Sequence, residues 1–248
     1  MYSNGIVVVW HGINSDCCTG NVAKAIDELR SEYGVYVRSI QIGDSVHEDF
    51  MRSFFGNANE QVDVVCKMLK EDERLASGFN AIGISQGGQL FRAYVERCND
   101  PPVHNLITFG SQHQGVSRFP GCVDGKEKSD WNLFGMVQEN AASVMNGQGI
   151  PGMTCEQIDS ILTNQVYKPV IQNSIIPAQY MKIPSLIDEY YRSNKFLTDI
   201  NNELAHKNAL YKKNIKSLNK FVMYMFDNDE VVIPKESSVR LKNNFGNI

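Results

Sequence analysis

The stretch AIGISQGGQL, Ala81 to Leu90, limits the possible folds more than any other part of the chain. An apolar run from Phe79 to Ile84 reaches Gly83-Ile84-Ser85-Gln86-Gly87. A helical pattern then runs from about Gly87 to Cys98. A glycine-flanked serine between a strand and a helix is the setting of a nucleophile elbow. The flanking glycines remove side chains that would clash in so sharp a turn. The helix that follows aims its positive end at the place where an oxyanion would develop. Read this way, Ser85 is a candidate nucleophile.

The surrounding pattern agrees. Ile6 to Trp10 (IVVVW) is a continuous apolar run, as expected of a strand covered on both faces. Val22, Ala23, Ile26 and Leu29 recur at helical spacing, and Gly34 stops that helix. Val35 to Ile42 reads as a second strand, and Val62, Val65, Cys66 and Leu69 mark a second helix. Phe79 to Ile84 is the third strand and Asn105 to Gly110 the fourth. The alternation predicts a mostly parallel α/β sheet with helices on both faces and right-handed crossovers.

The second half reads differently. Residues 124–152 suggest an inserted loop or lid, and residues 153–218 a helical cap region, with a helical pattern from Ile187 to about Leu218. Phe221 to Phe226 is a fifth strand. The whole, residues 1–248, is read as one domain.

Composition narrows the function. The net charge is −4 with no concentrated basic stripe, which speaks against nucleic acid as a partner. Lys212, Lys213 and Lys216 read as a solvated helix face. No apolar run approaches the ~20 residues of a transmembrane span, and MYSNG before IVVVW lacks the features of a signal peptide. The six cysteines, Cys17, Cys18, Cys66, Cys98, Cys122 and Cys155, contain no C-x-x-C pair. No metal or cofactor is therefore expected. Their even number permits three disulfides without requiring them.

An elbow needs donors and partners. The backbone N–H of Gln86 follows the serine. WHGIN, Trp10 to Asn14, follows the first strand and offers the N–H of Ile13 as second donor. For the acid, Asp227 and Asp229 both follow the fifth strand. His11 is set aside as base, because the chain order on this fold is Ser, acid, then His.

Taken together, VVVWHGINSDCC, IGDSVHEDFMRSFFGNANEQVDVVC, FNAIGISQGGQLFRAYVERC, NLITFGSQHQGV and NKFVMYMFDND resemble the palmitoyl-protein thioesterases. The resemblance covers about Gly5 to Cys122 and resumes from about Ile187 to Pro234. It implies an α/β-hydrolase fold. It also implies a lysosomal or secretory-pathway serine hydrolase that removes fatty acyl groups from protein cysteines through an acyl-enzyme. Its partners would be S-acylated proteins or peptides and long-chain acyl groups.

Carried over by residue, the resemblance makes Ser85 the nucleophile, selects Asp229 over Asp227, and supports Ile13 and Gln86 as oxyanion donors. It places Gln112 and His113, of the SQHQG block, beside the substrate. It implies the pairs Cys17–Cys18, Cys66–Cys98 and Cys122–Cys155. The sequence departs from the family in four ways: no signal peptide, no N-x-S/T sequon, the extra segment after Asp124, and an end before the final strand and helix. The family's triad histidine lies in that last stretch. The five histidines here, His11, His47, His104, His113 and His206, all precede Asp229. His206 reads as a surface residue. The expectation is a thioesterase that is weak or inactive as these 248 residues. The alternatives are an acyl-binding pseudoenzyme and a lipase or esterase acting on oxygen esters.

Overall fold

The computed structural model describes residues 5–118, 160 and 163–239, with the backbone alone at 122, 123, 126 and 127. Five parallel strands form its sheet: β1 (Ile6–Trp10), β2 (Tyr36–Ser39), β3 (Phe79–Ile84), β4 (Val103–Phe109) and β7 (Lys220–Tyr224). Their spatial order is β2-β1-β3-β4-β7. A separate antiparallel pair joins β5 (Cys122–Val123) to β6 (Lys126–Glu127).

Parallel neighbours need crossovers, and helices supply them. α1 (Gly20–Tyr33) links β1 to β2, α2 (Val46–Arg52) and α3 (Ala58–Lys70) link β2 to β3, and α4 (Gln86–Arg97) links β3 to β4. The sheet separates two cores. On one face Val7, Val9 and Val37 pack with Val22 and Ile26 of α1. On the other, Val8, Trp10, Phe79, Ala81 and Leu106 join α3 and α4 in a larger core. Successive residues of β1 thus serve opposite cores, which is why IVVVW is apolar without interruption.

Helix ends follow the local chemistry. Gly34 ends α1 at φ 62°, and its N–H reaches the Arg30 carbonyl. Asn57 caps α3 through the Asn59 amide. β2 is shorter than the strand expected from Val35 to Ile42, and at its far end the Ile42 N–H turns to the carboxylate of Asp49. α2 has no counterpart in the apolar periodicity. Its signal is the start Ser45-x-x-Glu48, where the Ser45 hydroxyl accepts the Glu48 amide.

The region from Ile187 to Leu218 is not one helix but three short ones. They are α6 (Ile187–Ser193), α7 (Leu197–Ile200) and α8 (Ala209–Ile215), after α5 (Pro169–Ser174). Asparagines make the breaks. Asn194 Oδ1 accepts the amides of Leu197 and Thr198. Asn202, at φ 53°, accepts the amide of Asn208. Such side chains compete with helical carbonyls for backbone donors. The expected lid, residues 124–152, and the start of the cap lie outside the described residues, apart from the backbone of 126 and 127.

Candidate active site

β3 ends at Ile84, α4 begins at Gln86, and Ser85 alone forms the turn between them, at φ 50° and ψ −119°. The neighbouring strand β4 and the first turn of α4 hold it there. Its N–H donates to the Phe109 carbonyl at 2.7 Å, and its carbonyl accepts from Gly88 N–H at 3.0 Å. The glycines are required by contact. A β-carbon on Gly83 would stand 2.3 Å from Gly88 Cα, and one on Gly87 would stand 2.1 Å from the Trp10 carbonyl oxygen. The first turn of α4 therefore lies against the end of β1.

The loop after β1 passes directly over the serine. A β-carbon on Gly12 would meet Ser85 Cβ at 2.9 Å and Ser85 Oγ at 3.6 Å. Ile13 follows and is buried. Ser85, half-buried, opens into a cleft of about 370 Å³. Gly12, Ile13, Ser15, Asn21 and Val22 line it together with Phe109, Gly110, Phe226, Asp229, Val231 and Val232. Most of this lining is apolar.

Asp229 sits just beyond β7. Its Oδ1 accepts the amides of Val231 and Val232, each at 2.9 Å, which fixes the carboxylate in the turn. Its Oδ2 faces Gly110. Asp227 is exposed and does not line the cleft. The structure thus brings Ser85, Ile13 and Asp229 into one cleft, with Gln86 buried at the head of α4. The Tyr180 hydroxyl donates to Gln86 Oε1 at 3.1 Å.

Gln112 and His113 stand elsewhere. Both are buried and neither lines the cleft. Gln112 gives its carbonyl to the Gln89 amide. His113 Nε2 is 3.1 Å from Thr108 Oγ1, and its ring meets Phe221 edge-on. Burial, and then the charge of Arg92, holds this imidazole well below its usual pKa, so it is neutral. These two residues brace the loop after β4 from behind. All five histidines are among the described residues, and none lines the cleft. His11 is buried beside Asp49, while His47 and His206 are exposed.

Two disulfides close the frame. One joins Cys17 to Cys18, at the end of the loop that carries Ile13, and the other joins Cys66 of α3 to Cys98 after α4. The pairing of Cys122 with Cys155 falls outside the described residues. Among those residues, no group of three or more His, Cys, Asp or Glu could hold a metal ion.

A parallel sheet flanked by helices, with a serine turn at its centre, defines an α/β-hydrolase. The model of the palmitoyl protein thioesterase family matches residues 6–244, and the chain belongs to that family. It is a thioesterase-like hydrolase. It is 37% identical to palmitoyl-protein thioesterase 1 of Caenorhabditis elegans over 94% of this chain and 70% of that protein. It is 32% identical to palmitoyl-protein thioesterase 3 of Dictyostelium discoideum over 93% of this chain and 68% of that protein. Among solved structures it is similar to a thioesterase domain from the curacin biosynthetic pathway. That match has 15% identity and a TM-score of 0.38, covering 97% of this chain and 83% of that one.

Proposed function

We propose that the protein cleaves fatty-acyl thioesters on protein cysteines, with Ser85 as nucleophile. The observation that carries this reading is the strained turn at Ser85, crossed by Gly12 and sharing a cleft with Asp229. Ser85 Oγ attacks the thioester carbonyl and gives up its proton to solvent water. The oxyanion is met by the N–H groups of Ile13 and Gln86, and the cysteine thiolate departs to leave an acyl-serine. Water then releases the fatty acid and restores the serine. The apolar cleft wall of Val22, Phe109, Phe226, Val231 and Val232 suits a long acyl chain. Gln112 and His113 support the loop after β4 instead of meeting substrate.

Asp229 holds the position of the acid that orients a histidine base. None of the five histidines lines the cleft with it, so the described residues bring no histidine base to Ser85. Loss of a triad member removes several orders of magnitude from the rate. Thioester cleavage suffers less than ester cleavage, because a thiol with a pKa near ~8.5 leaves without protonation. The chain therefore acylates slowly, deacylates slowly, and accumulates the acyl-enzyme.

Intact-mass spectrometry of the 248-residue chain with a palmitoyl-thioester peptide tests this. We expect a slow palmitoyl adduct that Ser85→Ala abolishes, and a slower one still from the matched oxygen ester. Turnover in the ordinary enzymatic range of about 1–10³ s⁻¹ would sink the missing-base reading. Tight binding of palmitate with no adduct would favour an acyl-binding protein that has lost catalysis. Faster reaction with the oxygen ester would favour an esterase.

For location, the relatives include a lysosomal thioesterase PPT2 homolog of Drosophila melanogaster, 28% identical. The two disulfides suit an oxidising compartment. We place the protein in the lysosome or secretory pathway on those grounds.

A further inference from the structure

Helix α2 does not line the cleft, yet it and the residue that ends it contact the loop over Ser85 at His11 before Ile13 and at Asn14 and Cys17 after it. Asp49, in its first turn, has no exposed side-chain surface. Its Oδ2 accepts the amide of Cys17 at 2.8 Å and its Oδ1 the amide of Ile42 at 2.7 Å. His11 Nε2 lies 3.1 Å from the same Oδ2, while His11 Nδ1 pairs with the Gly12 carbonyl at 2.9 Å. At the end of α2, Ser53 Oγ accepts the amide of Asn14 at 3.1 Å. One buried carboxylate thus joins the end of β2 to the loop after β1, through residues far apart in sequence.

From this we infer that Asp49 is a positioning residue for catalysis, fixing the Gly12–Cys17 loop so that the Ile13 N–H meets the oxyanion. The inference rests on the reading of Ser85 as nucleophile and Ile13 as donor. Preorganised donors act only when they sit where charge develops, so a loop displaced by a fraction of an ångström loses their effect. Two inward-pointing amides require two acceptor oxygens. An asparagine offers one oxygen and turns an NH₂ group against the second amide. Asp49→Asn keeps the shape of the side chain and removes that double acceptance.

The experiment measures single-turnover acylation of Ser85 by intact mass, using a palmitoyl thioester and the matching dithioester, whose C=S accepts hydrogen bonds weakly. The full chain, Ser85→Ala and Asp49→Asn are compared. We expect Asp49→Asn to acylate on the order of 10- to 100-fold more slowly with the thioester. Half-saturating substrate should be unchanged, and the preference for C=O over C=S should shrink by a similar factor. Acylation at the unaltered rate overturns the inference. So does slower acylation with the C=O to C=S preference unchanged, since that reports general loosening. Ser53→Ala, which removes only the Asn14 anchor, should fall between the two chains in both measures. Adducts that persist in Ser85→Ala overturn the nucleophile assignment and this inference with it.

Discussion

Ser85 is one of four non-glycine residues at positive φ among the described residues; the other three are asparagines, Asn14, Asn99 and Asn202. Asparagine tolerates that region, but serine gains nothing there locally and is strained by about 1–3 kcal/mol. Glycine at position 85 would relieve the strain and give back part of the gain in unfolded-chain entropy. Ser85→Gly should therefore raise stability by about 1 kcal/mol, seen as a later midpoint in urea denaturation, while ending adduct formation. A midpoint unchanged or earlier would mean that the turn is unstrained. The glycines around the serine were legible in advance, since a six-residue pattern encodes their contacts. Asp49 was not, because its partners Cys17 and Ile42 meet it only after β1, β2 and α2 assemble. The resemblance set His113 beside the substrate, whereas its ring is buried outside the cleft lining, since packing decides which side of a loop a ring faces.

α4 carries a second buried charge arrangement, behind the serine. Arg92 and Glu96, one turn apart, are both fully buried, with Nη1 to Oε1 at 3.5 Å. Arg92 also donates to the Ile200 carbonyl, the His113 carbonyl and Asn201 Oδ1, so α4 is tied to α7 and to the loop after β4. Glu96 is less well served. Burial outweighs the attraction of Arg92 and pushes its carboxyl up to about 8 from an ordinary 4.5. The folded chain then keeps a proton that the unfolded chain releases. Stability from this group is complete below about pH 4.5 and is lost as pH rises through about 8. His113 acts in the opposite sense, since its depressed pKa costs stability as pH falls through the ordinary value of 6.5. Glu96→Gln isolates the first effect. Urea denaturation between pH 5 and about 9 should show the variant losing less stability than the parent on the alkaline side, by an amount on the order of a few kcal/mol. Parallel profiles would show that Glu96 is ionised throughout, as a true ion pair with Arg92.

The β-α alternation of the first half announces the sheet because each crossover is short and each buried strand leaves a continuous apolar run. The second half hides its layout. β7 pairs with β4 in parallel, Asn105 beside Lys220 through Phe109 beside Tyr224, across more than a hundred intervening residues. The helices between them are broken by asparagines that no apolar period reveals. Covalent links counter that long-range topology unequally. Cys66–Cys98 closes a loop of sequence separation 32 that contains β3, Ser85 and all of α4. Cys17–Cys18 joins neighbours and closes no loop. If a disulfide acts by restricting the unfolded chain, the first should stabilise by about 3–4 kcal/mol and the second by at most about 1 kcal/mol. For a chain of this length, that places the melting temperature of the Cys66→Ser, Cys98→Ser double variant roughly 6–15 °C below the parent. The Cys17→Ser, Cys18→Ser variant should melt within a few degrees of it. Acylation of Ser85 at low temperature gives the complementary reading. The register of β3 with β1 and β4 sets the serine turn, so the folded Cys66→Ser, Cys98→Ser variant should acylate at the parent rate. Equal melting shifts in the two double variants would refute the loop argument, and slowed acylation in the first would show that the α3–α4 bridge also shapes the site.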